Sequence, residues 1–367
     1  MSKVFLKNIA EIQSGPFGTQ LHKDEYVEKG VLMLNAKNIG NGVVLTESVD
    51  YVSESVCSRL SQYVLREGDI LFGRAGSIER HTYIDKRYDG CFQGTNCIRI
   101  RCNNQKLSRF VSYYLWFPIV KRRIENQTGG SILSYITTDL LKEVEINLPD
   151  ELTVDRITKT LVMIDSKIQN NEAINDNLQQ MAYDTYMHLF FKKQPNGKLG
   201  EIIVENDKSS VQVGEAKAKS GNYPFFTSGD AILEWNCGMV DGRNCFLNTG
   251  GNAGVKFYIG DAAYSTDTWC ITANSGLEDY LYLLLLSIKP ELNQKFFQGT
   301  GLKHLQKPLL KDRMIHIPSE EEIKGFNTKV QPLMDMISAN TRENKRLTNL
   351  RDWLLPMLMN GQATVSD

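Results

Sequence analysis

Side chains able to hydrogen-bond to nucleic-acid bases cluster around two turns in the first hundred residues. One is the glycine-containing loop GRAGSIER at 73–80, and the other is the polar turn FQGTN at 92–96. Arginine can pair with guanine, and glutamine or asparagine with adenine, while a glycine lets the backbone approach a ligand closely. We therefore predict DNA contacts for these side chains, and the alternative for each is an ordinary surface or turn residue. They are Arg74, Ser77, Arg80, His81, Gln93, Thr95 and Asn96.

Comparable polar loops occur in the second half of the chain, at 248–254 and 264–268. The candidate base contacts there are Arg243, Asn252, Thr266 and Asp267. Half or more of protein–DNA hydrogen bonds go to the DNA backbone, for which we single out basic side chains. They are Lys121, Arg122, Arg123 and Lys303. The segments 131–136 and 299–305 either face DNA as well or simply connect to the helices that follow them.

Lys121, Arg122 and Arg123 lie in a stretch of the chain that carries only positive charge. No acidic residue occurs between Asp89 and Glu125, whereas arginines and lysines recur throughout that interval. Without acids to offset it, the field of this stretch should attract a polyanion. The alternative is a solvated face with no special role.

No enzymatic or metal-binding constellation is predicted. The chain has no phosphate loop, no dinucleotide-binding glycine motif after a strand, and no Asn/Asp-Pro-Pro-aromatic motif of the kind that amino-methyltransferases use. Glu322 and Lys324 form a weak nuclease-like E-x-K match without an upstream Pro-Asp pair. The seven cysteines contain no CxxC and the five histidines do not cluster, so we predict neither a catalytic residue nor a metal site.

The composition is typical of a folded intracellular protein. Of the 367 residues, 41% are hydrophobic and 23% are charged, with a formal net charge of −1. The longest purely apolar run, Leu281 to Leu286, is far shorter than a bilayer span, and the N-terminus has no signal-like apolar core. An odd number of cysteines without disulfide-like spacing indicates thiols in a reducing compartment. We therefore expect a cytoplasmic protein.

The elements that carry the polar turns are repeated along the chain. Residues 129–149 align with 298–318 at an offset of 169, so that Leu140 falls on Leu309. In both halves, short β-type runs and a short helical pattern precede this segment. The scaffold repeats while the loops differ, which suits a protein that reads two different things with one fold.

A long amphipathic helix follows each copy of the repeat. Its apolar residues recur at alternating steps of four and three, which is the pattern of a coiled coil. The pattern is interrupted by Asn171 and Asn175 in the first helix and by Asn340 and Asn344 in the second. If the helices pair antiparallel about residue 173, Asn171 faces Asn344 and Asn175 faces Asn340, which would select one register. The alternative is that each helix packs on its own domain.

These patterns predict an α+β fold. It consists of two mixed α/β domains joined by two long helices that form an antiparallel coiled coil with pseudo-two-fold symmetry. The predicted boundaries are 1–149 for the first domain, 150–191 for the central spacer helix, 192–318 for the second domain, 319–361 for the distal spacer helix and 362–367 for a tail.

The ordered set of segments resembles the DNA-specificity subunit of a type I restriction–modification system. LREGDILFGRAGSI at 65–78 and TGGSILSYITTDLLKEVEINLP at 128–149 resemble parts of the first target-recognition domain of such subunits. NYPFFTSG at 222–229 and the run from 248 to 271 resemble the second. The two helical regions resemble the spacer helices, so that the resemblance covers nearly the whole chain.

The resemblance implies a DNA-recognition subunit without catalytic activity of its own. Each target-recognition domain of the family reads one half of a split site in double-stranded DNA, and the spacer helices fix the gap and dock two methylation subunits. Restriction and translocation subunits join that assembly. No cofactor is expected on this chain, and S-adenosylmethionine is expected on the methylation subunit, which modifies adenine. The alternatives from other classes are a coiled-coil scaffold with two ligand-binding domains and a stand-alone nuclease or methyltransferase.

Overall fold

The chain folds as two units in a computed structural model that describes residues 2–74, 80–118, 120–122, 135–218, 221–274, 276–299, 301 and 303–364. Unit 1 comprises Met1–Ser166 with Leu347–Asp367, and unit 2 comprises Lys167–Arg346. Each unit has its own hydrophobic core. None of the described helices is long and apolar enough to cross a membrane.

Unit 1 combines small sheets with short helices. Its strands are β1 (Ser2–Phe5), β2 (Ala10–Ser14), β3 (Tyr26–Val27), β4 (Val31–Leu34), β5 (Asp50–Val52), β6 (Ile70–Gly73), β7 (His81–Tyr83), β8 (Phe92–Gln93), β9 (Cys97–Cys102) and β10 (Glu145–Leu148). Its shorter helices are α1 (Leu6–Ile9), α2 (Glu54–Arg59), α3 (Gln105–Trp116) and α4 (Thr138–Lys142). A long helix, α5 (Glu151–Phe190), begins in this unit and continues into unit 2.

The strands of unit 1 form sheets that contain both antiparallel and parallel pairs. Strands β2–β9–β6–β7 form an antiparallel sheet. Strands β3–β5–β4–β8 form a second sheet, in which β4 and β8 run parallel. Strand β1 pairs with β10, which connects the N-terminal segment to the chain that enters α5.

Strand β9 has buried side chains on both faces of the first sheet. Side chains alternate between the faces of a strand, and Ile98 and Ile100 join the core that also contains Phe110 of α3. Arg99 points to the opposite face, where its side chain is 1% exposed and donates to the Gln62 carbonyl at 2.7 Å and to Glu11 at 2.8 Å. Arg99 is therefore part of the scaffold.

Unit 2 is built from a similar set of elements. Its strands are β11 (Gly197–Lys198), β12 (Ile203–Glu205), β13 (Tyr223–Phe226), β14 (Ile232–Trp235), β15 (Arg243–Asn248), β16 (Val255–Ile259), β17 (Ala263–Tyr264), β18 (Thr268–Ala273), β19 (Phe297–Gln298), β20 (His304–Leu305) and β21 (Met314–Ile315). Its shorter helices are α6 (Val213–Ala218), α7 (Glu278–Ser287), α8 (Lys289–Glu291) and α9 (Lys307–Lys311). The second long helix, α10 (Glu320–Met359), begins here and continues into unit 1.

The strand order of unit 2 repeats that of unit 1. The sheet β12–β18–β15–β16 has the connectivity of β2–β9–β6–β7, and the pair β11–β21 corresponds to β1–β10. In the smaller sheet β14–β13–β17, the strands β13 and β17 run parallel, as β4 and β8 do in unit 1. The internal repeat predicted from the sequence is thus present in the fold.

The two long helices pack antiparallel within each unit, as predicted. In unit 2, Phe190 of α5 lies edge-on to Phe326 of α10, with 5.3 Å between ring centroids. In unit 1, Arg351 of α10 donates to Asp165 of α5 at 3.0 Å. These contacts join the beginning of one helix to the end of the other, which is the geometry of an antiparallel pair.

Two asparagine pairs lie in the helix pair of unit 2. The Asn171 amide donates to Asn344 Oδ1 at 2.8 Å and to Glu343 at 2.7 Å, and Asn171 is 1% exposed. The Asn340 amide donates to Asn175 Oδ1 at 2.9 Å. Both bonds join the partners that antiparallel pairing about residue 173 requires.

Candidate nucleic-acid interface

In unit 1, several chain segments meet at the end of β6. The Arg74 amide donates to the Asn96 carbonyl at 2.8 Å, and the Ile136 amide donates to the Arg74 carbonyl at 3.1 Å. The end of β2 is pressed against the turn before β9, since a Cβ added to Gly15 would lie 2.0 Å from the Gly94 carbonyl oxygen. We call this meeting point junction 1; it consists of residues 15–18, 74, 94–96 and 135–136.

Junction 1 exposes side chains suited to base recognition. Asn96 is exposed, and Arg74 is half-buried with its guanidinium carbon 5.8 Å from the centroid of the Phe17 ring. Phe17 is 56% exposed and Tyr135 is 50% exposed. Arginine and amide groups hydrogen-bond to base edges in the major groove, and aromatic rings make apolar contacts there. The sequence prediction included Arg74, Asn96 and the segment 131–136 that contains Tyr135, but it missed Phe17.

Unit 2 contains a junction with the same backbone hydrogen bonds. The Thr249 amide donates to the Asp267 carbonyl at 3.2 Å, and the Leu305 amide donates to the Thr249 carbonyl at 3.0 Å. In this junction Thr249 takes the place of Arg74, and Asp267 takes the place of Asn96. We call it junction 2; it consists of residues 249–252, 265–267 and 303–305.

The side chains of junction 2 differ from those of junction 1. Asn252, Asp267 and Lys303 are exposed, and Thr266 is half-buried. His304, next to Lys303, is also exposed. A carboxylate can accept a hydrogen bond from the amino group of cytosine, and a lysine can pair with a phosphate. One backbone arrangement therefore presents two different sets of recognition groups.

Lys256 holds the loop of junction 2 from within unit 2. Its ammonium donates to the carbonyl oxygens of Thr227 at 2.8 Å and Gly229 at 2.5 Å, and to Asn248 Oδ1 at 3.3 Å. Asn248 in turn donates to the Asn252 carbonyl at 3.0 Å. Burial lowers the pKa of Lys256. Because its ammonium hydrogens are directed to these acceptors, Lys256 fixes the loop rather than contacting phosphate.

His81 and Gln93 are interior residues, so their predicted DNA contact is wrong. His81 is 1% exposed, lies between the rings of Phe72 and Trp116, and has Nε2 3.0 Å from the Ser112 carbonyl oxygen. Burial lowers its pKa to about 3, which keeps the ring neutral. Gln93 is 0% exposed and donates to two backbone carbonyls. Both residues belong to strands whose side chains at these positions point inward.

Arg243 is also a structural residue rather than a base contact. It begins β15, at the opposite end of the strand from junction 2. Its side chain is 16% exposed and forms ion pairs with Asp279 at 3.4 Å and with Asp335 at 2.5 Å. It thereby connects α7 to α10 within unit 2. This pairing corrects the prediction that Arg243 contacts DNA.

In its described residues, the stretch without acidic residues is not a single positive surface, contrary to the expectation from the sequence. Arg101 forms a salt bridge with the buried Asp69, and Lys106 pairs with Glu151 at 2.8 Å. Arg109 stacks over the Tyr83 ring at 3.9 Å. Acidic and aromatic partners from elsewhere in the chain thus engage most of this charge.

The remaining candidates differ in their accessibility. Arg122 is exposed, and Lys121 is half-buried with its ammonium 5.3 Å from the Trp116 ring centroid. Arg80 and Thr95 are half-buried. Ser77 and Arg123 lie outside the described residues, so their predicted DNA contacts stay predictions.

Glu322 of the E-x-K match is a helix-capping residue. Ser319 and Glu322 cap the start of α10 reciprocally, with the Ser319 amide donating to Glu322 at 2.8 Å. Hydrogen bonds from Lys193 and the Ser319 amide lower the pKa of Glu322 to about 2. Within the described part of the chain, no three histidine, cysteine or acidic residues are grouped as metal ligands would be. The role of Glu322 in the E-x-K match is therefore to cap the start of α10.

Known proteins share both the sequence pattern and the fold. The family model for the type I restriction modification DNA specificity domain matches residues 1–180 and 192–349. The chain is 20% identical to the type I restriction enzyme MjaIX specificity subunit of Methanocaldococcus jannaschii, over 99% of this chain and 93% of that protein. It is 22% identical to the type I restriction enzyme HindI specificity subunit of Haemophilus influenzae, over 81% of this chain and 87% of that protein. Among solved structures, the type-I restriction-modification system S subunit from M. genitalium shares the fold, with a TM-score of 0.62 at 16% identity over 97% of this chain and 95% of that chain.

Proposed function

The chain belongs to the family of type I restriction modification DNA specificity domains, and we propose that each of its units reads one half of a split site in double-stranded DNA. Its role is DNA recognition within a larger complex rather than catalysis, since relatives that match most of its length are specificity subunits of restriction enzymes. The observation that carries the proposal is the repetition of one backbone junction with different side chains. Two units that present different side chains at the same backbone junction would recognise two different half-sites.

The proposed division of labour follows the exposure of the side chains. In junction 1, Arg74 and Asn96 read base edges, and in junction 2 Asn252 and Asp267 do so. Basic residues outside the polar turns contact phosphates, which set the position of each unit on the duplex without carrying sequence information. The candidates of this second kind are Lys121, Arg122 and Lys303.

The proposed partners are two methylation subunits, which carry S-adenosylmethionine and modify adenine, and the restriction and translocation subunits. Exposed apolar side chains on the long helices support docking of a protein there. In unit 1, Met163 is 71% exposed and Trp353 is 57% exposed. In unit 2, Met181 is 55% exposed and Met336 is 51% exposed. Large exposed apolar side chains are typical of protein interfaces, and their presence in both units fits one methylation subunit for each.

Selection of DNA from a random pool tests the proposed function. The chain is co-expressed with the methylation subunit of its system, and the purified complex is used to enrich binding duplexes. We expect a motif with two short specified halves separated by a fixed unspecified gap. Retention of DNA without any sequence preference, or of no DNA at low salt, would contradict the proposal and favour a scaffold with other ligands.

A further inference from the structure

Phe17 is an exposed aromatic residue that stands out in junction 1. Its side chain is 56% exposed, so that much apolar surface of the ring faces solvent. It lies in the turn Gly15–Gly18 that follows β2, close to the guanidinium of Arg74. Single exposed apolar residues are common on protein surfaces, so exposure alone assigns no role to Phe17.

The turn that carries Phe17 is held rigidly. The Phe17 amide donates to Gln20 Oε1 at 3.2 Å, and the Gln20 amide donates to the Phe17 carbonyl at 2.7 Å. Gln20 Oε1 also accepts from the Tyr63 hydroxyl at 2.9 Å. The Gly15 amide donates to the Cys97 carbonyl at 2.8 Å, which fixes the turn to β9. These bonds fix the backbone that carries Phe17 within junction 1, as the support of a recognition residue must be fixed.

The chemistry of a phenyl ring limits what it can read. It neither donates nor accepts an ordinary hydrogen bond, and the C5 methyl of thymine is the apolar group that a base presents in the major groove. The Arg74 guanidinium lies 5.8 Å from the ring centroid, which is less than two base-pair steps of about 3.4 Å each. Both side chains can therefore contact the same half-site.

Resting on the proposed function, we propose that Phe17 contacts the C5 methyl group of a thymine in the half-site that unit 1 reads. Phe17 is then a specificity-determining residue of the first half only. In unit 2 the segment after β12 reads Asn206-Asp207-Lys208-Ser209 and contains no aromatic residue. The second half-site accordingly serves as an internal control.

The test removes the methyl group and the ring separately. The full chain, in complex with its methylation subunit, is bound to the selected duplex with thymines of the first half replaced singly by deoxyuridine. For the wild-type complex we expect one replacement to weaken binding about fourfold, as the loss of one buried methyl group does. The Phe17→Ala complex should bind the thymine duplex at least as weakly as the wild-type complex binds the deoxyuridine duplex. Replacing the same thymine by deoxyuridine should then cause no further loss of binding by the variant. Phe17→Leu, which keeps an apolar group, should retain part of the sensitivity.

The outcomes separate this inference from the proposed function. Base-pair substitutions in the second half should weaken the wild-type and Phe17→Ala complexes alike, which also shows that the variant is folded. If Phe17→Ala binds like wild type, or if deoxyuridine affects both proteins equally at every position of the first half, the inference is overturned while split-site reading stands. Equal loss on thymine and deoxyuridine duplexes would indicate insertion of the ring between bases instead, and also overturns it. A wild-type complex that prefers no split site overturns the proposed function itself.

Discussion

Asn96 and Asp267 occupy corresponding places in the two junctions but differ in hydrogen-bonding character. The asparagine amide both donates and accepts, as pairing with adenine requires, whereas the aspartate only accepts, as pairing with the amino group of cytosine requires. Both side chains are exposed. The backbone carbonyl of Asn96 accepts a hydrogen bond from the Arg74 amide, and that of Asp267 accepts one from the Thr249 amide. We therefore propose that the identity of the side chain on this fixed frame determines which base a unit prefers.

Lys303 is the clearest candidate for a phosphate contact in unit 2. It is exposed, and its carbonyl is fixed to the Gly251 amide at 2.9 Å. We expect Lys303→Ala to weaken binding of all sequences alike and to reduce the salt slope of log K by about one unit. Titration at several salt concentrations measures that slope. Lys324→Ala, which removes an exposed lysine of α10, is the matched control, and an unchanged slope for Lys303→Ala would contradict the assignment.

His81 makes the stability of the protein depend on pH. Its pKa is lowered to about 3 by burial, against about 6.5 in an unfolded chain. Between these values the unfolded state binds a proton that the folded state does not, so stability falls as the pH drops below about 6.5. From pH 7.5 to pH 5, the free energy of unfolding of wild type should fall by about 2 kcal/mol more than that of His81→Phe. Urea denaturation at both pH values measures the difference, and equal losses would show that His81 is not buried as described.

Among the predicted site residues, exposure was predicted correctly for several turn residues and wrongly for strand residues, while their DNA contacts stay predictions. Asn96, Asn252 and Asp267 follow glycines or polar turns and are exposed, as expected. His81 and Gln93 are equally polar, but each lies in a short strand on the inward face. The direction of a side chain in a two- or three-residue strand depends on non-local pairing, which one sequence does not reveal.

At the scale of elements, junction 1 depends on the close approach of the end of β2 to the turn before β9. Gly15→Ala would place a Cβ 2.0 Å from the Gly94 carbonyl oxygen, whereas Gly18→Ala meets nothing within 4 Å. We expect Gly15→Ala to abolish recognition of the first half-site by displacing this turn, and Gly18→Ala to leave recognition unchanged. Binding of duplexes mutated in one half or the other measures both variants. Normal first-half recognition by Gly15→Ala would contradict the role of this contact.

We propose that the asparagine pairs select the register of the long helices. Asn171 and Asn344 bond to each other, and Asn171 is almost fully buried. Replacing both by leucine should raise the free energy of unfolding, because the buried amide of Asn171 and the half-buried amide of Asn344 are exchanged for apolar groups, and should loosen the register or oligomeric state. Denaturant unfolding and light scattering measure the two effects. A loss of several kcal/mol in the double variant would show that the pair stabilises the helices instead.

The helices were predictable and the sheets were not, for a physical reason. A seven-residue apolar pattern with two interruptions is local information, and it determined helix type, orientation and the asparagine partners. The parallel pairing of Met33 with Phe92, and the contact of Gly15 with Gly94, join residues far apart in sequence. Such contacts depend on the packing of the whole unit. The backbone contacts that form the two junctions could therefore not be predicted from the sequence.

At the scale of the whole molecule, the sequence repeat and the folded units divide the chain differently. The repeat suggested the order domain, helix, domain, helix. In the structure, unit 1 combines residues from both ends of the chain, because the end of α10 from Leu347 onward belongs to it. Unit 2 takes up the continuous stretch between. The division follows from antiparallel pairing, which brings the start of α5 to the end of α10.

The central claim is that each unit determines one half of a split DNA site, and exchange of one unit's loops tests it most directly. Residues 1–149 are replaced by the corresponding segment of a relative with a different target, and methylated adenines are sequenced in cells that express the chain with its methylation subunit. We expect the wild-type chain to direct methylation to one split motif with a fixed gap, and the chimera to change one half of that motif while the other half and the gap persist. A change in both halves, a continuous motif, or no methylation despite complex formation would contradict the account.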